Sequence, residues 1–147
     1  MKNNFGIPSL LLRWAIAIPY VWFVCDRLGI LGGPGQPHVG WGSWEKFMEF
    51  SRQVMSFLPN AVVEPLAILA SLGELGLGIL LMAGLFTRWA ALGSAVLSFL
   101  FAVSMTISLG IESPLGYSVF TLSAASLLLA AIPEYAFSVD AARQSKK

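Results

Sequence analysis

Pro65-Leu-Ala-Ile-Leu-Ala-Ser-Leu-Gly-Glu74-Leu-Gly-Leu-Gly-Ile-Leu-Leu-Met-Ala-Gly-Leu-Phe86 is a long apolar run with one charged residue near its middle. At 1.5 Å of rise per residue, a helix over this run covers the roughly 30 Å of a bilayer's hydrocarbon core. A formal charge at mid-depth costs roughly 2.5–3.5 kcal/mol on insertion scales. Glu74 is therefore expected to face the bundle interior and to be hydrogen-bonded or protonated there, unless Arg13 or Tyr20 reaches it. That makes it the first candidate for chemistry, as a proton relay or hydrogen-bond acceptor, with a packing-specific polar contact as the structural alternative.

The rest of the chain supports a membrane setting. Of its 147 residues 56% are hydrophobic and 12% charged, at a mean hydropathy of +0.74, whereas soluble domains carry about 25% charged residues. Apolar stretches predict spans over about 7–28, 61–86, 89–109 and 114–133, which fill most of residues 1–147 and leave room for one integral membrane domain. Lys2 precedes the first stretch, but Arg13 interrupts it and no small-residue cleavage site follows, so it reads as a retained helix. Four spans put Lys2, Arg13, Arg88, Arg143, Lys146 and Lys147 on one side and Arg27, Lys46 and Arg52 on the other. This bias predicts cytoplasmic N- and C-termini and an extracytoplasmic segment 29–60.

Within the first span, Pro19 removes a backbone hydrogen bond, and Arg13, Tyr20 and Arg27 recur every seven residues on one inward face. Arg13 is also close enough to the helix end to snorkel. Gly29 to Gly42 is rich in glycine and proline but lacks the Gly-Lys-Ser/Thr ending of a nucleotide cradle, so it reads as turn chemistry. Ser43 caps an amphipathic helix predicted to run to about Leu58, lying at the interface with Trp41 and Trp44 at headgroup depth. Ala67, Ala70, Ser71, Glu74 and Gly78 on the second span, and Ala91, Ser94, Ala95, Ser98 and Ala102 on the third, form stripes of small residues that let helices approach closely. Ser118, Thr121, Ser123 and Ser126 add hydroxyls to the fourth span, free to satisfy interior polar groups or their own helix.

One Cys and one His exclude bis-His haem ligation, a cysteine redox pair, a four-cysteine cluster and an ordinary zinc site within the chain. Cys25 reads as a small apolar residue, and His38 as a surface residue with no nucleophile beside it. A net charge of +1 without a basic face argues against nucleic acid as a partner. Asp26, Arg27, Glu64, Glu112 and Tyr117 are expected to meet near the outer surface. They would form either a headgroup-sized pocket, as for a quinone ring, or a salt-bridge cluster that orders the loops.

Gly73-Glu74-Leu75, then Gly78 through Phe86-Thr87-Arg88-Trp89-Ala90-Ala91-Leu92, resembles the DoxX family of small four-helix bacterial membrane proteins. Asp26-Arg27-Leu28-Gly29, Gly33-Pro34-Gly35, Trp41-Gly42 and Pro114 to Phe120 resemble a DoxX-like subgroup. The resemblance implies a place beside membrane redox chemistry, with quinone as acceptor and other subunits as partners. It carries Glu74 and Arg88 over as family features and Asp26 and Arg27 as subgroup ones. Without paired cysteines, thiol chemistry by this chain alone does not fit.

The combined expectation is an all-α four-transmembrane-helix bundle in the bacterial inner membrane with an extracytoplasmic amphipathic helix between helices one and two. Its role is a redox-associated subunit that binds quinone or another lipid-like molecule, Glu74 handling a proton and Asp26, Arg27, Tyr117, Arg13 and Tyr20 contacting the ligand. The alternative is a noncatalytic scaffold packed against other membrane subunits or further copies of itself. A transporter is a weaker third reading.

Overall fold

The computed structural model describes residues 5–144, and every described element is helical. In chain order they are α1 (Gly6–Arg27), α2 (Trp44–Val54), α3 (Asn60–Ala83), α4 (Thr87–Leu109), α5 (Glu112–Gly116), α6 (Val119–Ala131) and α7 (Val139–Gln144). Among the described residues, only α1, α3 and α4 are long and apolar enough to cross a membrane by themselves. Their bounds lie close to the predicted spans.

The predicted fourth span over 114–133 is not one helix. It breaks at Tyr117–Ser118, where Ser118 takes a left-handed conformation at φ 56° before α6 begins. Tyr117 N–H returns to the Ser113 carbonyl and Ser118 N–H to that of Leu115, so the short α5 closes on itself and α6 starts afresh. Hydropathy runs through the break because the residues around it are apolar on average, while a single left-handed residue suffices to interrupt the helical ladder.

Contacts along α1 and α3 show that they run antiparallel and out of step. Arg27 lies beside Ser71 and Glu74, the Ala17–Tyr20 turn beside Gly78, and Arg13 beside Gly84. The last residue of α1 is therefore level with the middle of α3, and the first turns of α3 extend beyond it. The loop over 28–43 and α2 occupy that position. Phe47 and Met48 of α2 bury against Val63 and Ala67 of α3, so the apolar face predicted to rest in the interface is met by protein. Ser43 caps α2 as expected, its Oγ accepting the Lys46 N–H at 3.3 Å. The helix ends at Val54 rather than near Leu58: Ser56 N–H bonds the Gln53 carbonyl and Leu58 N–H that of Met55, so the chain turns before Pro59 leads into α3.

The interior is built from small residues. Ile16, Ala17 and Tyr20 pack with Leu81, Ala90, Ala91, Leu129 and Ala130 in the main core. Both predicted stripes face inward: Ala67, Ser71, Glu74 and Gly78 on α3 are buried and Ala70 is half-buried, and Ala91, Ser94, Ala95, Ser98 and Ala102 on α4 are all buried. A Cβ on Gly78 would stand 3.0 Å from Val21 Cγ2 and 3.3 Å from the Ala17 carbonyl oxygen, which sets how closely α1 and α3 meet. Leu69, Leu72, Val96, Phe99 and Leu100 point outward. Large apolar side chains facing lipid and small ones facing helices is the arrangement expected where close van der Waals packing drives association.

Candidate functional site: a buried ion pair under an aromatic roof

Arg27 closes α1, and its side chain turns onto α3. Nη2 lies 2.7 Å from Glu74 Oε2, Nη1 donates to Ser71 Oγ at 2.7 Å, and Nε donates to the Phe23 carbonyl at 3.1 Å. Arg27 is 3% and Glu74 6% exposed. The contact with Glu74 brings the charges together at an angle outside hydrogen-bond geometry, so Oε2 has no hydrogen-bond donor in line with it. Ser71 sits one turn before Glu74 on the same stripe and also bonds the Ala67 carbonyl, which holds its hydroxyl in place.

Aromatic rings cover the guanidinium. Arg27 Cζ stands 4.0 Å from the Phe47 ring centroid and 5.5 Å from that of Trp41, distances at which a cation is attracted to the ring face. Trp41 meets Phe23, Phe47 and Phe50 at centroid distances of 5.7, 5.3 and 5.8 Å, and Trp44 meets Phe47 at 5.2 Å.

Asp26 holds this roof down. Its buried carboxylate accepts the Gly40 N–H at 3.0 Å and the Trp41 N–H at 2.8 Å. A Cβ at Gly40 would lie 3.1 Å from Asp26 Oδ2, so the absent side chain lets the backbone come this close. Adjacent residues thus divide the labour: Asp26 fixes Trp41, and Arg27 sits beneath it against Glu74.

Tyr20 is on the same face of α1, nearly two turns deeper and within electrostatic range of Glu74. Its hydroxyl bonds Ser94 Oγ and Ser98 Oγ, both at 2.8 Å, and Ser94 Oγ continues to Ser126 Oγ at 2.9 Å. These hydroxyls form a chain across α1, α4 and α6.

Arg13 does not snorkel. It is 1% exposed and lies at the other end of α3, where Nη2 donates to the Phe137 carbonyl at 2.8 Å while Nε and Nη1 have no hydrogen-bond partner. Gly84 ends α3 at φ 68°, and a Cβ there would stand 2.7 Å from Arg13 Nη1 and 2.5 Å from Ser138 Cβ. The segment before and through α7 is tied to the same end by Asp140, which accepts the Phe86 N–H at 3.0 Å and both the Thr87 N–H and hydroxyl at 2.8 Å. Burial alone would push the Asp140 carboxyl up, but these three donors and the Arg143 charge hold it below the usual aspartate range.

Of the six residues singled out by sequence, Arg27 and Glu74 meet directly and Asp26 organises their cover. Tyr20 lies beneath them, and Arg13 serves the opposite end. Tyr117 stands 72% exposed in the break between α5 and α6. Glu64 and Glu112 are exposed too, and neither forms an ion pair: the described ion pairs are Arg27–Glu74 and the surface pair Lys46–Glu49. The expected outer cluster of charges is thus replaced by a buried pair. Sequence reading missed Ser71, Phe47 and Trp41 as partners of Arg27, although Ser71 shares the stripe of Glu74. It also passed over Asp140, which carries no short-range signal. Among the described residues no group of three His, Cys, Asp or Glu converges.

No curated protein and no solved structure matches the chain. The DoxX family model matches residues 37–107, which run from the loop through α2 and α3 into the last turn of α4. Glu74, Ser71, Trp41 and Phe47 fall inside the match, and Asp26 and Arg27 lie before it. Over residues 37–107, this multi-pass membrane protein with its long apolar helices therefore carries a DoxX family region.

Proposed function

We propose that the chain is a redox-associated subunit of the bacterial inner membrane that receives a quinone or similar amphipathic molecule beside Glu74, with both termini in the cytoplasm and α6 completing a four-helix bundle. The observation that carries this reading is the Arg27–Glu74 pair, buried in apolar surroundings with the Glu74 Oε2 lone pairs lacking an aligned donor. A ligand hydroxyl is the kind of donor such an oxygen accepts. Glu74 would take or return the proton, Arg27 would steady the carboxylate, and Tyr20 with Ser94 and Ser126 would offer a hydroxyl path beneath it. Trp41 and Phe47 would give a ring a surface to stack on and keep water out. Electrons would pass to a partner subunit, since the chain has no redox pair of its own.

A noncatalytic assembly role is the second reading. The closeness of the roof to Arg27 favours it, because Asp26 and Arg27 then serve to lock the loop over 28–43. Glu74→Gln separates the two, as it keeps the shape of the side chain while losing its charge. Quinone-linked activity of native membranes should fall at least about tenfold while the protein still assembles, in line with the loss of a positioned proton-transfer group. Unchanged activity with normal assembly would favour the scaffold.

A further inference from the structure

A second site lies at the far end of the bundle. Where α4 begins and α6 ends, a cavity of about 580 Å³ opens, lined among others by Arg88, Trp89, Glu134, Tyr135, Asp140 and Arg143. This volume falls within the roughly 300–1,000 Å³ of small-molecule sites. The cavity stands level with the end of α3 and the start of α4, and the exposed rings of Phe86 and Trp89 flank it. That is the depth at which headgroups meet acyl chains and where aromatic residues collect in membrane proteins.

The charges around it are not equivalent. The α4 N–H groups at Phe86 and Thr87 are already engaged by Asp140, so the helix start is not free to take an anion. Arg143 lies within electrostatic range of Asp140 and over the Phe86 ring at 5.9 Å, which largely balances that pair. Arg88 and Glu134 remain. Both are exposed, and neither forms a hydrogen bond or ion pair among the described residues. One cation and one anion left over at headgroup depth match a ligand that carries both signs.

We propose that this cavity binds a membrane glycerophospholipid whose headgroup bears a phosphate and a primary ammonium, the phosphate on Arg88 and the ammonium on Glu134, with the acyl chains along Trp89 and Phe86. A quaternary ammonium has no N–H to donate to Glu134, and a purely anionic headgroup leaves Glu134 opposed. The site thus distinguishes headgroups that share the same phosphate.

Native mass spectrometry of the full chain, released from bilayers of equimolar phosphatidylethanolamine, phosphatidylcholine and phosphatidylglycerol with identical acyl chains, tests this. Retained phosphatidylethanolamine should exceed each of the others by about fivefold to tenfold, the scale of one net hydrogen bond at an exposed site. Arg88→Ala should lower retention of all three, whereas Glu134→Gln should erase the preference over both phosphatidylcholine and phosphatidylglycerol. Equal retention of the three lipids, preference for phosphatidylglycerol, or indifference to Arg88→Ala would overturn the proposal. Displacement of the bound lipid by millimolar inorganic phosphate would overturn it in favour of a soluble phosphate ligand. The wild-type comparison decides between headgroups by itself, so the test survives a variant that does not fold.

Discussion

Arg13 and Arg27 occupy the same face of α1, four turns apart, and both are buried, yet the protein satisfies them in opposite ways. Arg27 receives a carboxylate, a serine hydroxyl, a carbonyl and two aromatic faces. Arg13, near the C-terminal end of α3, donates one direct hydrogen bond, to the Phe137 carbonyl, with Asp140 as its more distant counter-charge. The difference follows position. Beside the middle of α3 that helix offers no free terminal carbonyls, and the Arg27 guanidinium, although in the last turn of α1, is met there by the Glu74 carboxylate. At the end of α3 the Arg13 guanidinium lies against Gly84 and bonds the Phe137 carbonyl, where the partial negative charge of the helix C-terminus favours a cation. Burial therefore does not imply one mode of compensation.

Breaking the Arg27 side should cost most. Arg27→Ala leaves Glu74 buried and unpaired and should destabilise the fold by about 3–5 kcal/mol, measured by reversible unfolding in bicelles. Arg27→Met with Glu74→Leu should recover most of that loss. A double variant as unstable as Arg27→Ala would mean that the ion pair is not what compensates the charge.

At the Arg13 end the critical residue is a glycine. Gly84→Ala places a Cβ against Arg13 Nη1 and Ser138 at a positive φ, and should destabilise by about 2 kcal/mol in the same assay. Adding Arg13→Ala should return part of this, which would locate the clash at the guanidinium rather than in the turn.

Asp140→Asn should cost about 1 kcal/mol, the usual scale for losing a helix cap. Its pH dependence supplies a sign. The folded carboxyl titrates below the unfolded one, so its contribution is fully present above the ordinary aspartate value and is lost as pH falls through the lowered value. Acid titration of unfolding should show that loss in the wild type and not in Asp140→Asn. The smallest effect belongs to Tyr20→Phe, at about 0.6 kcal/mol, typical of an interhelical hydrogen bond in a membrane, because Ser94 and Ser126 keep each other as partners.

How far these features could be read in advance depends on their range. The spans of α1, α3 and α4, the inward stripes and the inward placement of Glu74 were legible because composition and helical period are local. The partner of Glu74 was not. The sequence reading has Glu74 protonated or hydrogen-bonded unless Arg13 or Tyr20 reaches it, whereas Arg27 is found beside it, because α1 is displaced along α3 by the fit of Ala17 and Tyr20 over Gly78. Such an offset is set by packing between helices and leaves no trace in either helix's own period. Asp140 was invisible for a related reason: it reaches Thr87 across 53 residues with nothing in between to announce it. The break at Ser118 escaped hydropathy because a backbone angle does not alter average polarity.

The order in which the charges are synthesised adds a temporal consequence to the ion pair. Arg27 is made first, and Ser71 follows 44 residues later, with Glu74 one turn beyond. At about 5–20 residues per second, α1 waits for roughly 2–9 s before its counter-charge exists. During that interval only nearby groups, such as the Phe23 carbonyl and the ring of Trp41, can attend the guanidinium. Arrival of α3 then does two things at once: it neutralises the waiting charge and draws the first hairpin of the protein together, so that insertion of the second long helix becomes the event that commits the first to its final depth.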